Sequence, residues 1–358
     1  MTQAEKMNRT EISELGKVAF VERLTEPFTT NENTRIRQGV GDDAAVIDRG
    51  GWLEVVGEAT LLEGIDFDLT YTPLEHLGYK LVAAAVSNIC AMNGRAEYLT
   101  VSVGLSARFS VEDATALYDG IRRATEAYGV ALIGGNTSAS LTGLNLMATA
   151  IGTVAEEELT LRSGAKTTDL LCVTGNLGAA YMGLQLLERE KRVLKGNAVS
   201  RPELTKENAY LLGRQLKPEA RVDIVQELRE AKVRPTAMID VTRGLASAAL
   251  HLCRRSEVGV RIYLNRIPIA SDTFRLAEEM HIDPVVAALN GGDDFELLFT
   301  APLDKHQELL AMPGVDVIGH VVAAEEGAAL VTPDGGEIRI QAPDWTAHRA
   351  AEGAASEE

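Results

Sequence analysis

Residues 72–94, TPLEHLGYKLVAAAVSNICAMNG, read as one helix. Thr72 can cap it, Pro73 suits a first turn whose N–H groups have no intrahelical partner, and Gly94 is a natural stop. Its apolar residues cover most faces rather than one stripe, the pattern of a helix buried on several sides. Such a helix needs layers around it, and the flanking segments supply them. Upstream, WLEVVGEATLLEG (52–64) reads as a strand and turn, and Ile12, Leu15, Val18, Ala19, Val21 and Leu24 recur at helical spacing over 9–24. Downstream, EYLTVSVGL (97–105) reads as a strand, and residues 110–129 read as a helix that opens with Ser and acid at capping-box spacing and closes at Gly129. LNLMATAIGTV (144–154) is a further strand, completing a first α+β unit.

After the polar run AEEELTLRSGAKTTD the pattern restarts. Strands are expected at LLCVTG, TAMID, GVRIYL and FELLFT, with helices at LGAAYMGLQLLERE, over 203–230, at GLASAALHLCRRS and over 271–289. The division is a first domain at 1–155, a second at 156–348, and a small-residue acidic tail at 349–358 with nothing to bury, read as disordered. A chain of 358 residues, 46% hydrophobic, is long enough for two domains with their own cores.

Lys and Arg total 35 against 52 Asp and Glu, a net charge of −17, which disfavours a broad electrostatic grip on nucleic acid or on an anionic membrane. A bound phosphate would therefore need local cations or metal. The three cysteines, Cys90, Cys172 and Cys253, form no CxxC pair, so neither a disulfide framework nor a zinc site is indicated. The start MTQAEKMNRTEISELGK lacks the apolar core of a signal peptide, and no run reaches the roughly 18 apolar residues of a membrane span. A soluble, cytoplasmic protein is expected.

Four glycine-marked segments stand at expected strand ends or loop entries: GVGDDAAV, LIGGNTSAS, MIDVTRGLAS and ALNGGDDFELLFT. In the first, Asp42 and Asp43 either satisfy N–H groups of a turn or hold a metal; on an extended segment they point to opposite sides, so one faces a site while the other braces the loop. Asp240 ends an apolar strand and Gly244 precedes a helix, so an anion could meet that helix N-terminus beside a metal-binding carboxylate, or the Asp or Thr could simply cap the helix. In GGDDFELLFT the alternation of Phe295, Leu297 and Phe299 predicts a half-buried strand, with Asp293 and Asp294 in its turn. VTGNLGAA has a loose phosphate-loop shape without the Lys-Ser/Thr of a true P-loop, and simple helix initiation also explains it. Arg162, Lys166, Arg214, Lys217 and Arg221 are the local cations for a phosphate, or belong to solvated loops.

Taken in order, GVGDDAAVID, LLEGIDFDLTYTPLEHLGYK, SNICAMN, GGNTS, LTLRSGAK, VTGNLGAA, RQLKPEARVD, MIDVTRGLASAALHLCRRSEVGVRIYLNRIPI, ALNGGDDFELLFT and the late APDWTAH resemble the thiamine-monophosphate kinase family over about residues 10–350. The resemblance implies a two-domain α+β fold like that of aminoimidazole ribonucleotide synthetase, with an N-terminal domain that builds a β-barrel across a homodimer and a C-terminal α/β sandwich-like domain. It implies ATP-dependent phosphorylation of thiamine phosphate to thiamine diphosphate with magnesium. Carried onto this chain, Asp43 is a metal ligand supported by Asp42, and Asp240 is a further ligand, these acids forming the catalytic centre. Gly135, Asn136, Arg162, Thr242 and Arg243 fall at ATP positions, and Asp66, Asp293, Asp294, Glu296 and Trp345 at thiamine-phosphate positions.

The family pattern has Asp where this chain has Ala59, Asn88, Asn136 and Arg243, and Asp66 replaces a common His. Magnesium typically takes one or two carboxylates plus phosphate oxygens and water, so Asp43 and Asp240 can still hold one ion, while a cluster of several is harder to keep. Arg243 would repel a metal and attract a phosphate directly, or else it swings into solvent or pairs with Glu58. The alternative is a non-catalytic paralogue that binds nucleotide or thiamine phosphate.

Overall fold

The computed structural model of the chain describes residues 10, 12–28, 34–194 and 208–342. Trp345 and the acidic tail lie outside the described residues.

The expected helix at 9–24 is two pieces, a turn at Ile12–Leu15 and α1 (Lys17–Thr25), divided at Gly16, whose φ of +75° no helical residue adopts. The first sheet contains β1 (Ile36–Gln38), β2 (Ala45–Asp48), β3 (Leu53–Leu62), β4 (Arg95–Leu105), β5 (Ala131–Ala139) and β6 (Asn145–Val154), in the order β1-β2-β3-β6-β4-β5. All pairs are antiparallel except β4 with β5. That parallel pair needs a crossover, supplied by α3 (Val111–Tyr128), which has the Ser110–Asp113 capping box and the Gly129 stop that its sequence predicts. Within the chain the sheet is open, with β1 and β5 as its edges. LIGGNTSAS, expected at a strand end, is β5 itself, and all nine of its residues are exposed.

The helix read from 72–94 spans Leu74–Cys90 (α2), shorter by a turn at its end than its sequence suggests. Pro73 is the N-cap and Thr72 caps nothing; beyond Cys90 the chain turns through Asn93, whose φ is +56°. Two glycines let α2 cross α3 at backbone distance: a Cβ at Gly78 would lie 2.1 Å from the Leu117 carbonyl oxygen, and one at Gly120 would lie 1.9 Å from that of Glu75.

The second domain carries β7 (Leu170–Thr174), α4 (Ala179–Leu194), α5 (Ala209–Leu216), α6 (Val222–Glu230), β8 (Ala237–Val241), α7 (Leu245–Ser256), β9 (Gly259–Tyr263), α8 (Ser271–Glu279), α9 (Pro284–Asn290), β10 (Glu296–Ala301), β11 (Val315–Val322), β12 (Ala328–Val331) and β13 (Glu337–Arg339). Its seven strands run β13-β12-β9-β11-β7-β10-β8, with β12 and β9 parallel and the other pairs antiparallel. All six residues of β10 are buried, so the strand expected to be half-buried is covered on both faces.

The apolar character of α2 now has its cause. Leu81, Val82, Val86 and Ile89 join Val55, Leu99 and Leu146 of the first sheet to Ile224, Leu228, Met238 and Phe299 of the second domain in one continuous core. The helix is a shared layer between two sheets, so the first domain's core runs into the second domain, which also keeps clusters of its own. A second cluster lies under α7 (Leu245, Ala249, Leu252) against Ile239, Leu298 and Ile318. No described helix is long and apolar enough to cross a membrane. The three cysteines are free and buried.

Candidate functional site

Segments distant in sequence meet where β8 ends. The turn before β2 carries Asp42 and Asp43, and the loop before β7 carries Arg162. Asp42 braces the turn: it accepts from its neighbour's N–H (Asp43, 3.0 Å) and from the Arg162 N–H (3.1 Å). Asp43 takes the Arg162 guanidinium on both oxygens, at 2.9 Å from Nε and 2.6 Å from Nη2. The loop is itself tied down, since Ser256 at the end of α7 donates to the Arg162 carbonyl (3.0 Å). Gly41, with φ of +109°, packs under the Arg255 guanidinium.

Asp240 is the third acid. It is buried, and it accepts from Ser87 of α2 (3.1 Å) and Thr242 (3.3 Å). It lies within hydrogen-bond reach of Asp43; burial first, and then the Asp43 charge, push its carboxyl well above the usual carboxylate range, against the pull of Arg162. Burial and the charge of Asp43 likewise push Asp42 up to about 6. One guanidinium thus stands among three buried carboxyl groups.

Beside this centre is a cavity of about 250 Å³. Thr242, Arg243 and Ser247 line it from the start of α7, Gly292 and Asp293 from the loop before β10, and Tyr181 from α4. The loop is pinned to the strand end: the Asp293 N–H donates to the Thr242 carbonyl (3.1 Å) and the Phe295 N–H to that of Val241 (3.1 Å). Asp293 and Phe295 take positive φ to do so, +58° and +53°. Lys80 of α2 reaches Asp293 at 2.7 Å and the Gln215 carbonyl at 3.3 Å.

The other residues singled out in the sequence lie apart from this cavity's lining. Asp294 and Glu296 are fully buried. Asp294 accepts from the N–H groups of Gly178 (2.8 Å) and Ala180 (3.3 Å), so the N–H groups of VTGNLGAA are engaged by a carboxylate of the protein at the start of α4. Glu296 is held by Thr174 (2.5 Å) and Arg214 (2.8 Å), with Arg221 at 3.5 Å. Two of the cations available for phosphate are therefore bound to an internal acid. Lys217 pairs with Glu219 at 3.2 Å and lies over the Tyr79 ring. Asp66 accepts from the Leu62 N–H within a turn (2.8 Å). Gly135 and Asn136 are on β5, with β4, β6 and β3 between them and β2. Ala59 packs against the core and Asn88 donates to the Glu58 carbonyl (3.0 Å).

Sequence reading missed Lys80, Ser87 and Ser247. The first two had a signal, since a lysine and a serine inside a helix apolar on most faces must find partners; Ser247, small and among alanines, had none. Among the described residues no group of three or more His, Cys, Asp or Glu is placed to hold a metal ion. Of the acids expected to hold metal, Asp43 and Asp240 lie within reach of each other, and Arg162 engages both Asp43 oxygens; magnesium usually takes one or two carboxylates with phosphate oxygens and water.

The family models described as AIR synthase related protein, N-terminal domain and C-terminal domain match residues 41–154 and 169–332. A thiamine-monophosphate kinase of Bacillus subtilis is 32% identical over 281 residues, 78% of this chain and 82% of that protein. The fold superposes on a structure described as AaThiL complexed with AMPPCP and TMP, with a TM-score of 0.79 and 28% identity over 92% of this chain and 97% of that one. A structure of the thiamine monophosphate kinase from Aquifex aeolicus gives a TM-score of 0.74 at 27% identity, covering 92% of this chain and all of that one.

Proposed function

The chain belongs to the thiamine-monophosphate kinase family, and on that premise we propose that it phosphorylates thiamine phosphate to thiamine diphosphate with ATP as donor, in the cleft beside Asp43 and Asp240. The carrying observation is that Asp43, Arg162 and Asp240, from separate parts of the chain, come together at the end of the strand whose following residues, Thr242 and Arg243, line a cavity. Titratable groups whose burial and charged neighbours shift their ionisation cluster at functional sites.

Phosphoryl transfer needs positioning and positive charge around the transferring group rather than covalent help. Asp43 and Asp240 would hold a magnesium ion, which supplies charge neutralisation to the phosphates when bound. Arg162, its fork held by Asp43, keeps cationic charge at the site, and Arg243 stands in place of an acid in the family pattern, giving cationic charge where that pattern has a metal ligand. Thr242 orients Asp240. Asp293, neutralised by Lys80, and the Tyr181 ring form the wall against which the thiamine ring system would lie. Since Ala59, Asn88 and Asn136 offer no carboxylate, the enzyme works with fewer ions than the family pattern. We assign it to the cytoplasm.

The same reading makes the protein a homodimer joined through β5, whose residues include exposed Leu132 and Ile133. An edge strand with its face open to solvent is a template for pairing, and two such edges meeting would close the sheets into the barrel that one chain lacks.

A second reading, a paralogue that binds nucleotide or thiamine phosphate without turnover, is favoured by the engagement of both Asp43 oxygens by Arg162. Detection of thiamine diphosphate from purified protein, ATP, magnesium and thiamine phosphate decides between them. Product formation supports the kinase; tight binding without product selects the paralogue.

A further inference from the structure

We propose that Ser247, the first turn of α7 and Arg243 form a subsite that binds a phosphate monoester or terminal phosphate directly, without a metal ion. The inference rests on the reading of the adjoining cleft as a kinase site, and concerns a residue to which that reading gives no role.

Ser247 is 2% exposed, and its hydroxyl has no hydrogen-bond partner although the residue lines the cavity. Burying a hydroxyl without a partner is unfavourable, and nothing in the packing demands it. Its neighbours in α7 are Ala246, Ala248 and Ala249, and an alanine at 247 would fill the same helical position. A polar atom kept at such a place is explained by a partner that arrives from the cavity.

The surroundings fix the charge of that partner. The N-cap of α7 is Gly244, which has no side chain to accept from the first-turn N–H groups. No larger residue fits there, because a Cβ would lie 2.4 Å from the Leu289 carbonyl oxygen and φ is +82°. The positive end of a 12-residue helix is therefore left without a side-chain cap at the cavity. Arg243, immediately before the N-cap, lines the same space. The acid that also lines it, Asp293, is paired with Lys80 at 2.7 Å. A hydroxyl donor, a helix N-terminus and a guanidinium together suit a tetrahedral oxyanion. Tyr181 and Leu184 add an apolar wall, so the phosphate is one carried on an aromatic or apolar body.

The acceptor, thiamine phosphate, and the donor, ATP, both carry such a group, and the test separates them. Affinities of thiamine phosphate, thiamine and ATP are measured by titration calorimetry in EDTA for the full chain, Ser247→Ala and Arg243→Gln. The wild type should bind a phosphate-bearing ligand in EDTA, and each variant should weaken that binding about tenfold, the effect of one charge-assisted hydrogen bond, leaving thiamine unaffected. Loss confined to thiamine phosphate assigns the subsite to the acceptor, and loss confined to ATP assigns it to the donor. The melting temperature of ligand-free Ser247→Ala should equal or exceed that of the wild type, because an unpartnered hydroxyl is removed. Unchanged affinities in Ser247→Ala, wild-type binding that vanishes in EDTA, or a fall in ligand-free stability matching the loss of affinity would overturn the subsite while leaving the kinase reading intact. Binding of neither ligand even with magnesium overturns both.

Discussion

Arg162 and Asp43 face each other fork to fork, with Nε 2.9 Å from one carboxylate oxygen and Nη2 2.6 Å from the other, in a site where Asp43 has almost no exposed side-chain surface. The guanidinium holds the position that a cation must take, and removing it leaves the buried carboxyl groups Asp42, Asp43 and Asp240 without compensation. Arg162→Ala should lose about 3–5 kcal/mol, the usual cost of breaking a buried pair from one side. Urea unfolding with and without magnesium checks this, and magnesium should restore part of the loss in the variant but add little to the ligand-free wild type. A variant as stable as the wild type would show that the three acids do not rely on Arg162.

Asp43→Asn tests the chemistry. It removes one of the two carboxylates proposed to hold magnesium while keeping the shape, so thiamine diphosphate formation should fall by at least about 10²-fold, as for loss of a preorganised electrostatic partner. Retained turnover would place the metal elsewhere.

Asp294 gives a pH prediction away from the acids proposed to hold magnesium. Burial pushes its carboxyl up to about 7, against the pull of Arg214 and of the Gly178 and Ala180 N–H groups. A folded-state value above the unfolded one means that folding takes up a proton between about pH 4 and 7. Its contribution is therefore fully present at about pH 4 and is lost as the pH rises to 7, at up to about 1.4 kcal/mol per unit. Asp294→Asn cannot ionise and should flatten that slope in urea midpoints recorded from pH 4.5 to 8. An identical slope in the variant would mean that Asp294 stays ionised throughout.

The α2–α3 crossing should tolerate no methyl group. Gly120→Ala puts a carbon 1.9 Å from the Glu75 carbonyl oxygen, and the two helices must separate. A loss of about 1–3 kcal/mol or more is expected from overpacking. Because α2 carries Lys80 and Ser87 to the site, the affinity for thiamine phosphate should fall together with the thermal midpoint; affinity unchanged at a lowered midpoint would separate the crossing from the site.

For the proposed dimer, Leu132→Glu on β5 places a charge on the exposed edge strand. Light scattering should show a dimer for the wild type and a monomer for the variant, with equal circular dichroism. A dimeric variant would move the interface off β5.

The legible part of the fold was local. Ser110 and Asp113 announce the start of α3, and the dense apolar residues of 74–90 announce a buried helix, because capping and burial act on residues near one another in the chain. β10 was misjudged because alternation at Phe295, Leu297 and Phe299 says nothing about what covers the second face, which here is buried as well. GGNTS was misread because glycines marking a loop in most sequences here permit close strand pairing, a Cβ at Gly135 lying 1.9 Å from the Val101 carbonyl oxygen.

The amino-acid order by itself determined most element types, the α+β character of the chain and the family, since these follow from periodicity, caps and motifs held in short stretches. Which charges meet was decided only in three dimensions. Asp43, Arg162 and Asp240 come together because α2 serves both sheets as a common layer, and the cations Arg214 and Arg221 turn inward to Glu296 rather than toward a ligand. Electrostatic pairing depends on separation through space and on burial, and neither quantity is a property of sequence distance.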